Sequence, residues 1–413
     1  MPIDLIRRPL DLDRALRSVR DWSPDRPGAV ILGASPNGLS FVRSIGRRGI
    51  PVVVLEGPKP LPALHSRWAC GLHHPDPVDD EARWMEVLLA IGGSAPTPPV
   101  LIPTGDAHVL LVSRRRGELG KSFRFVLPDA EVLEKLPNKS EQYRLAAESG
   151  VPIPKTLYPS SEREVEEAGR EVGYPCIVKP HYAHLWKRRK EGKLVEAGDA
   201  AELLRAYRGA AEIGQAVMVQ ELIPGGDDAL YGLLAYYDRE SRPLCLFTKR
   251  KLRQYPIGYG DGSLQVTLRV PEVKELGDRF FRSMRYRGLG SVEFKKDERT
   301  GEFKLIEVNP RSVSGQGMTT AAGMDIPYLA YLDIGQVERV EPTDRFREGV
   351  YFVNERWDVQ SFLQYRKAGR LTFRRWLGGF FGKKIAFAFF SWRDPGPAAA
   401  LWGRVLLNRL RRK

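Results

Sequence analysis

Two glutamates, Glu293 and Glu307, lie in apolar runs that alternate as strands do, Gly290-Ser-Val-Glu-Phe-Lys-Lys-Asp297 and Phe303-Lys-Leu-Ile-Glu-Val-Asn-Pro-Arg311, separated by a short polar turn containing Gly301. A turn centred on Thr300 pairs residues symmetrically about it. That register sets Glu293 opposite Glu307, with Asn309 two residues on and on the same face. Like charges facing each other across a strand pair are destabilising unless a cation bridges them, and two carboxylates with an amide oxygen suit Mg²⁺ shared with phosphates. The spacing therefore predicts a metal–nucleotide site. The competing reading is a solvent-facing hairpin with scattered acids.

The elements that must hold this hairpin belong to a chain of 413 residues, long enough for two or three domains, with 42% hydrophobic and 28% charged residues. Cys70, Cys176 and Cys245 are odd in number and far apart, so they suggest neither a disulfide framework nor a CxxC metal site and point to a reducing compartment. Residues 1–27 lack the apolar core of a signal peptide, and no run approaches the ~20 apolar residues of a membrane span. A cytoplasmic protein is expected. The net charge of +14 asks for an anionic partner, and its basic residues crowd at Arg114 to Arg116, Lys187 to Lys190, Lys249 to Arg253 and Arg404 to Lys413. No helix-turn-helix, zinc-finger or RRM signature accompanies them, which ranks ATP phosphates, anionic substrates and anionic lipid above nucleic acid.

Residues Gly28 to Leu55 read as a βαβ opening: strand Ala29–Leu32, glycine turn Gly33–Gly38, a helix, then strand Val52–Leu55. The turn is not GxGxxG, so a Rossmann-like structural start is expected rather than a dinucleotide site. Asp106, after the strand Val100–Pro103, falls where such sheets place ligand-facing residues, although a lone Asp at such a place is more often a helix cap. A second pattern begins near Leu136: Asn138-Lys139-Ser140, a helix through Glu148, a stop at Gly150, a strand at Cys176–Pro180 and another from Val217 to Ile223 ending in Pro224-Gly-Gly-Asp-Asp228. Polar Glu341-Pro-Thr-Asp344 marks a boundary near residue 340.

Lys139, the strand lysine Lys179, the Gln220-Glu221 pair and the Glu293 and Glu307/Asn309 hairpin, in this order, resemble the ATP-grasp superfamily over roughly residues 28 to 335. The resemblance implies an α/β chain with α+β elements. It comprises an extension at 1–27, a Rossmann-like pre-ATP-grasp domain at 28–135, an ATP-grasp domain at 136–340 with its hinge near 220–224, and a small C-terminal extension at 341–413. It implies ATP and Mg²⁺, two ions, with Lys139 and Lys179 on the phosphates from opposite sides. Gln220, Glu221 and Ile223 fall at the hinge that reads adenine, and Asp227 or Asp228 falls where an acid binds ribose. Glu293, Glu307 and Asn309 match the metal set, and Arg311 the arginine facing the transferring group; an arginine beside acids is otherwise a salt bridge. Such enzymes phosphorylate a carboxylate and let an amine displace the phosphate, using cations and alignment rather than a protein nucleophile.

The chain departs from the family pattern after Lys179. A glycine-rich lid is replaced by Pro180-His-Tyr-Ala-His-Leu-Trp-Lys-Arg-Arg-Lys-Glu-Gly192, similar to D-aspartate-ligase-like and envelope-polysaccharide-associated ligases. His181, His184 and Trp186 with the basic run would form a different lid. In Phe247–Gly262, which resembles the same subgroup, the first lysine or arginine (Lys249 or Arg250) would meet phosphate and Arg253 would hold a substrate carboxylate bidentately. Glycines 258 to 262 would let the loop close over substrate. Ser314-Gly-Gln-Gly317 would shape the acceptor pocket or simply enter a helix.

Residues 345–413 interleave aromatic and basic residues. Packing of 376–392 on the core is expected, and the stretch 402–413 suits either a solvated tail or an anionic membrane surface. The function expected is an ATP-dependent carboxylate–amine ligase acting on a small carboxylate and an amine, in the cytoplasm or at the inner face of the membrane, with a homo-oligomer left open. Its alternative is a non-catalytic nucleotide-binding or anionic-surface-binding protein that keeps the fold.

Overall fold

The computed structural model describes residues 11–57, 61–73, 78–181, 194–212 and 214–410. Most of the substituted lid segment, including His184, Trp186 and Lys187 to Lys190, lies outside the described residues.

The first sheet is wholly parallel: β1 (Ala29–Leu32), β2 (Val52–Glu56), β3 (Cys70–His73) and β4 (Val100–Pro103), in the order β3-β2-β1-β4. Its strands read as continuous apolar runs because both faces are covered. Val30, Leu32, Val53 and Leu55 pack into one cluster with Trp84 and Leu88, while Ala29, Ile31, Val52 and Val54 pack into another with Phe41, Met318 and Phe352. Ala15, Val19 and Trp22 join the first of these, so the described part of the N-terminal extension, with its helix Leu12–Arg20, is bound into this domain.

A second sheet is small and antiparallel: β5 (Thr156–Leu157), β6 (Cys176–Pro180), β7 (Val195–Ala197) and β8 (Val217–Glu221), in the order β5-β8-β6-β7. Helices Glu162–Val172 and Ala200–Ala211 cover one face through Val165, Ala168, Leu203 and Ala206.

The third sheet has seven strands: β9 (Leu230–Tyr237), β10 (Pro243–Tyr255), β11 (Asp261–Thr267), β12 (Gly288–Lys296), β13 (Phe303–Asn309), β14 (Val350–Val353) and β15 (Lys384–Phe387). Their order is β13-β12-β9-β10-β11-β14-β15, antiparallel except for β14 with β15. Helices Lys139–Glu148 and Pro271–Ser283 bury Tyr143, Phe280 and Phe281 against it. The C-terminal extension thus supplies the last two strands of the large sheet.

The hairpin β12–β13 differs in detail from the symmetric turn. Asp297 N donates to Glu302 O (2.8 Å) and Gly301, at φ +77°, closes the turn by donating to Asp297 O (2.7 Å). Next to the turn Lys296 faces Phe303 and Phe294 faces Leu305, one residue short of symmetry about Thr300. An irregularity after Phe294 leaves Ile306 as the extra residue and restores the expected register, so Glu293 faces Glu307 and Ser291 faces Asn309. The same residue reverses the alternation along β13: Phe303 and Leu305 are buried before it and Val308 after it, which turns Glu307 and Asn309 away from the core.

Candidate active site

One row of the large sheet carries most of the candidate chemistry. Glu307, Glu293, Gly232, Lys249 and Thr267 are successive cross-strand partners on β13, β12, β9, β10 and β11. Gly232 has a positional reason to lack a side chain, since a Cβ there would stand 3.2 Å from Lys249 Cε. The Lys249 chain therefore lies across the strand that separates it from Glu293.

Each glutamate of the row has a lysine beside it. Lys251 Nζ lies 2.7 Å from Glu293 Oε2, and Lys139 Nζ lies 3.5 Å from Glu307 Oε1. Lys139 is the first residue of its helix, which is capped by Asn138 accepting from Ser140 N (3.0 Å), an interaction worth about 1 kcal/mol. Lys249 is buried and donates to Gln265 Oε1. Burial lowers its ammonium to about 8 even though Glu293 pulls the other way.

The small sheet faces this row with Lys179. Its Nζ donates to Gln220 Oε1 at 2.6 Å and lies 3.2 Å from the Tyr143 hydroxyl, which itself donates to Ile306 O (3.0 Å). Burial holds the Lys179 ammonium below its ordinary value. Burial alone would raise Tyr143, but the ammonium groups of Lys179 and Lys139 outweigh it and bring the phenol down. Gln220 is engaged at both ends of its amide, since its Nε2 donates to Thr156 Oγ1 (2.8 Å). The carboxylate of Glu221 accepts from Lys155 N (2.9 Å) and Lys304 Nζ (2.5 Å); burial raises its pKa, and these donors more than reverse it. Ile223 lies just past the strand and is buried.

The two aspartates left open by the sequence have different surroundings. Asp227 is buried and accepts from Gln254 Nε2 (2.8 Å), Gly258 N (3.1 Å) and the Tyr365 hydroxyl. Asp228 is exposed, pairs with Arg250 (3.0 Å) and lines a cavity of about 390 Å³ beside the hairpin turn with Tyr231, Lys296 and Glu298. That cavity does not include the Glu293–Glu307 row.

Arg311 extends from the end of β13 to the parallel domain, where Asp106 accepts from its Nε (2.5 Å) and NH2 (2.9 Å). Burial disfavours the guanidinium charge and Asp106 more than restores it, so the arginine stands above its ordinary value. Asp106 is the first residue of its helix, whose N-cap is Gly105.

Arg253 has a different environment from the one expected for a substrate-binding arginine. Its Nε and NH2 donate to Asp358 at 2.9 and 2.8 Å, and Trp376 Nε1 donates to the same carboxylate (2.8 Å). A register irregularity at Leu252 breaks the alternation after Lys251 and separates Arg253 from the two lysines. The glycine loop after it is fastened in this structure: Ile257 N donates to Gln364 Oε1 (3.0 Å), Gly258 N to Asp227, and Tyr259 OH to Glu196 of β7. Trp376 stacks on Phe362 and meets Phe373 and Phe380, so this part of the aromatic stretch is packed as expected, whereas Phe381 and Trp392, expected on the core with it, are exposed.

The structure also brings in Lys251, Tyr143, Gln265 and Asp106. Lys251 was legible by strand alternation from Lys249, and Asp106 by its place after β4. Tyr143 and Gln265 carry no such signal, because their partners are distant in sequence. Among the described residues no cluster of three or more His, Cys, Asp or Glu is placed to hold a metal alone. Two carboxylates and an amide are a partial set, of the kind that holds Mg²⁺ jointly with phosphate oxygens.

Comparison with known proteins bears on the fold and on the kind of protein this chain resembles. The family profile "ATP-grasp in the biosynthetic pathway with Ter operon" matches residues 247–353. The chain is 26% identical over 239 residues to the D-aspartate ligase of Enterococcus faecium (strain Aus0004), covering 55% of this chain and 56% of that protein. It is 28% identical over 223 residues to the D-alanine–D-alanine ligase of Stutzerimonas stutzeri (strain A1501), covering 49% of this chain and 65% of that protein. The matches thus span a little more than half the length of these relatives. In fold, it superposes with a TM-score of 0.62 and 17% identity on the biotin carboxylase domain of the Hydrogenobacter thermophilus 2-oxoglutarate carboxylase, a structure in complex with MgADP, ADP and bicarbonate, over 79% of this chain and 73% of that one. The chain has the ATP-grasp fold, and part of it matches an ATP-grasp family. Its sequence is weakly similar to D-aspartate and D-alanine–D-alanine ligases.

Proposed function

We propose that this chain is an ATP-dependent carboxylate–amine ligase. A carboxylate oxygen attacks the γ-phosphorus of ATP, ADP leaves, and the resulting acyl phosphate is attacked at its acyl carbon by an amine, which loses a proton as phosphate departs. An amino acid as the carboxylate and a saccharide or cell-envelope amine as the acceptor fit the similarity to D-aspartate ligase. The observation that carries the reading is the cross-sheet row, two facing carboxylates flanked by Lys139, Lys249 and Lys251.

In this reading Glu293, Glu307 and Asn309 hold two Mg²⁺ ions together with the nucleotide phosphates. Bound there, the metal neutralises charge on the transferring phosphoryl group. Lys139 and Lys179 hold phosphate oxygens, Lys249 and Arg311 face the oxygens that gain charge, and adenine is read by the chain between Glu221 and Ile223, since the Gln220 amide is already engaged. Asp228 is the acid available to ribose; Asp227 anchors the glycine loop. Lys251 and Lys139 keep the glutamates from repelling each other before nucleotide arrives. A cytoplasmic enzyme at the inner membrane face would reach a lipid-linked acceptor, and the C-terminal tail is suited to that contact.

Incubating the protein with Mg-ATP, hydroxylamine and pooled D- and L-amino acids and other carboxylates tests the chemistry, because hydroxylamine captures an acyl phosphate without the true amine. The expected result is carboxylate-dependent hydroxamate and ADP in equal amounts. ATP binding with neither product across the pool and candidate amines would instead favour a non-catalytic nucleotide-binding protein.

A further inference from the structure

The last described helix, Gly396–Leu410, is apolar on both sides. Ala398 and Leu401 turn inward and are buried in the core formed with the parallel domain. One turn around, Trp402, Gly403, Leu406 and Leu407 are exposed, the two leucines at 60% and 56%. Their spacing of i, i+4 places Trp402 with Leu406 and Gly403 with Leu407, so a continuous apolar stripe faces solvent. Just before the helix, Trp392 is 88% exposed and is supported from behind by Phe390, with ring centroids 4.8 Å apart, which in turn meets Phe387 at 5.9 Å. This second group is held rigidly to the domain: Asp394 accepts from Arg43 Nε, Ser66 Oγ and Arg67 N, each at 2.9 Å.

Exposed apolar side chains on a well-anchored element need an occupant, and the charge around them selects one. Arg67 and Arg393 lie beside the Asp394 anchor and are exposed, as are Lys383 and Lys384 before Phe387. The sequence runs on into Arg411-Arg-Lys413 and the whole chain carries +14. A second copy would bring the same cations face to face. An anionic surface matches them, and tryptophan and leucine bordered by arginine and lysine are the residues that enter the headgroup region of a bilayer. Among the described residues no helix is long and apolar enough to cross a membrane, so the contact is peripheral.

We infer that Trp392 and the outward face of helix Gly396–Leu410, Trp402, Leu406 and Leu407, form a docking surface for an anionic lipid bilayer. The inference deepens the peripheral placement proposed above and does not depend on the ligase chemistry, since it is tested without nucleotide or substrates. Full-length protein is mixed with vesicles of phosphatidylcholine, or of phosphatidylcholine and phosphatidylglycerol in equal parts, and partition is followed by sedimentation and tryptophan emission. Binding to the anionic vesicles alone, a blue-shifted emission and weakening with added salt are expected. Replacing Trp392→Ala, Leu406→Ser and Leu407→Ser together should lower partition roughly tenfold or more, with far-UV circular dichroism and ATP binding unchanged. Failure of the wild-type chain to bind anionic vesicles, or equal binding by the triple variant, would overturn the assignment. So would a concentration-dependent dimer that the same substitutions dissolve, which would make the face a contact between copies.

Discussion

Lys249, Lys251 and Arg253 are alternate residues of one strand, yet they are used in two ways. The lysines belong to one arrangement: Lys251 is 2.7 Å from Glu293, Lys249 is buried beside Gln265, and the two glutamates of the row face each other as like charges. Arg253 belongs to a closed one, in which Asp358 takes its bidentate edge and Trp376 donates to the same carboxylate. The difference teaches that a buried charge is informative about function when its partners leave excess like charge, and about architecture when the charges cancel.

The comparison is broken most severely at Glu307. Glu307→Gln should lower ligase turnover about 10²–10³-fold or more, as expected when a transition-state charge contact is lost, while thermal unfolding stays close to wild type because a like-charge pair has been relieved. Large loss of stability with turnover retained would invert the two regions. Asp358→Ala should do the opposite. Leaving Arg253 buried without its partner costs about 3–5 kcal/mol, read by urea unfolding, whereas turnover per folded molecule should change little.

A pH profile sharpens the contrast further. Lys249 holds its proton less firmly folded, at about 8, than unfolded, at 10.5, so between these values the unfolded state binds more protons and this group makes the fold more stable as pH rises. Activity runs the other way: kcat/KM should fall above pH about 8 as the ammonium is lost, and Lys249→Gln should remove that limb. Smallest is Asp106→Asn, which weakens the hold on Arg311; because the pair is partly exposed, stability should shift by about 1 kcal/mol or less, and kcat should fall more than KM rises.

Local patterns made most of this fold legible, but two strand irregularities limited the site. The βαβ opening, the capped helix at Lys139 and the strands carrying Lys179 and Gln220 follow from short apolar runs, a capping residue and glycine and proline stops. The pairing of Glu293 with Glu307 was read from a symmetric turn. The chain reaches it through a turn one residue short and a compensating bulge at Ile306, so the register was right for an incomplete reason. At Leu252 the compensating shift comes only after Arg253, between it and Gln254, and Arg253, expected beside substrate, is instead bound by a residue 105 positions later. Neither bulge has a glycine or proline to announce it, because the surrounding packing places the extra residue. The glycine loop shows the same limit: its composition suggests freedom, while Gln364 and Asp227, outside the loop, fasten it.

The most direct test of the central claim is ATP affinity by calorimetry, with and without Mg²⁺, for wild type and Glu307→Gln. The facing carboxylates should make wild-type affinity strongly Mg²⁺-dependent, and the substitution should remove most of that dependence while leaving metal-free binding through Lys139 and Lys179 in place. An unchanged Mg²⁺ dependence in Glu307→Gln would contradict the assignment of the row as the metal–nucleotide centre.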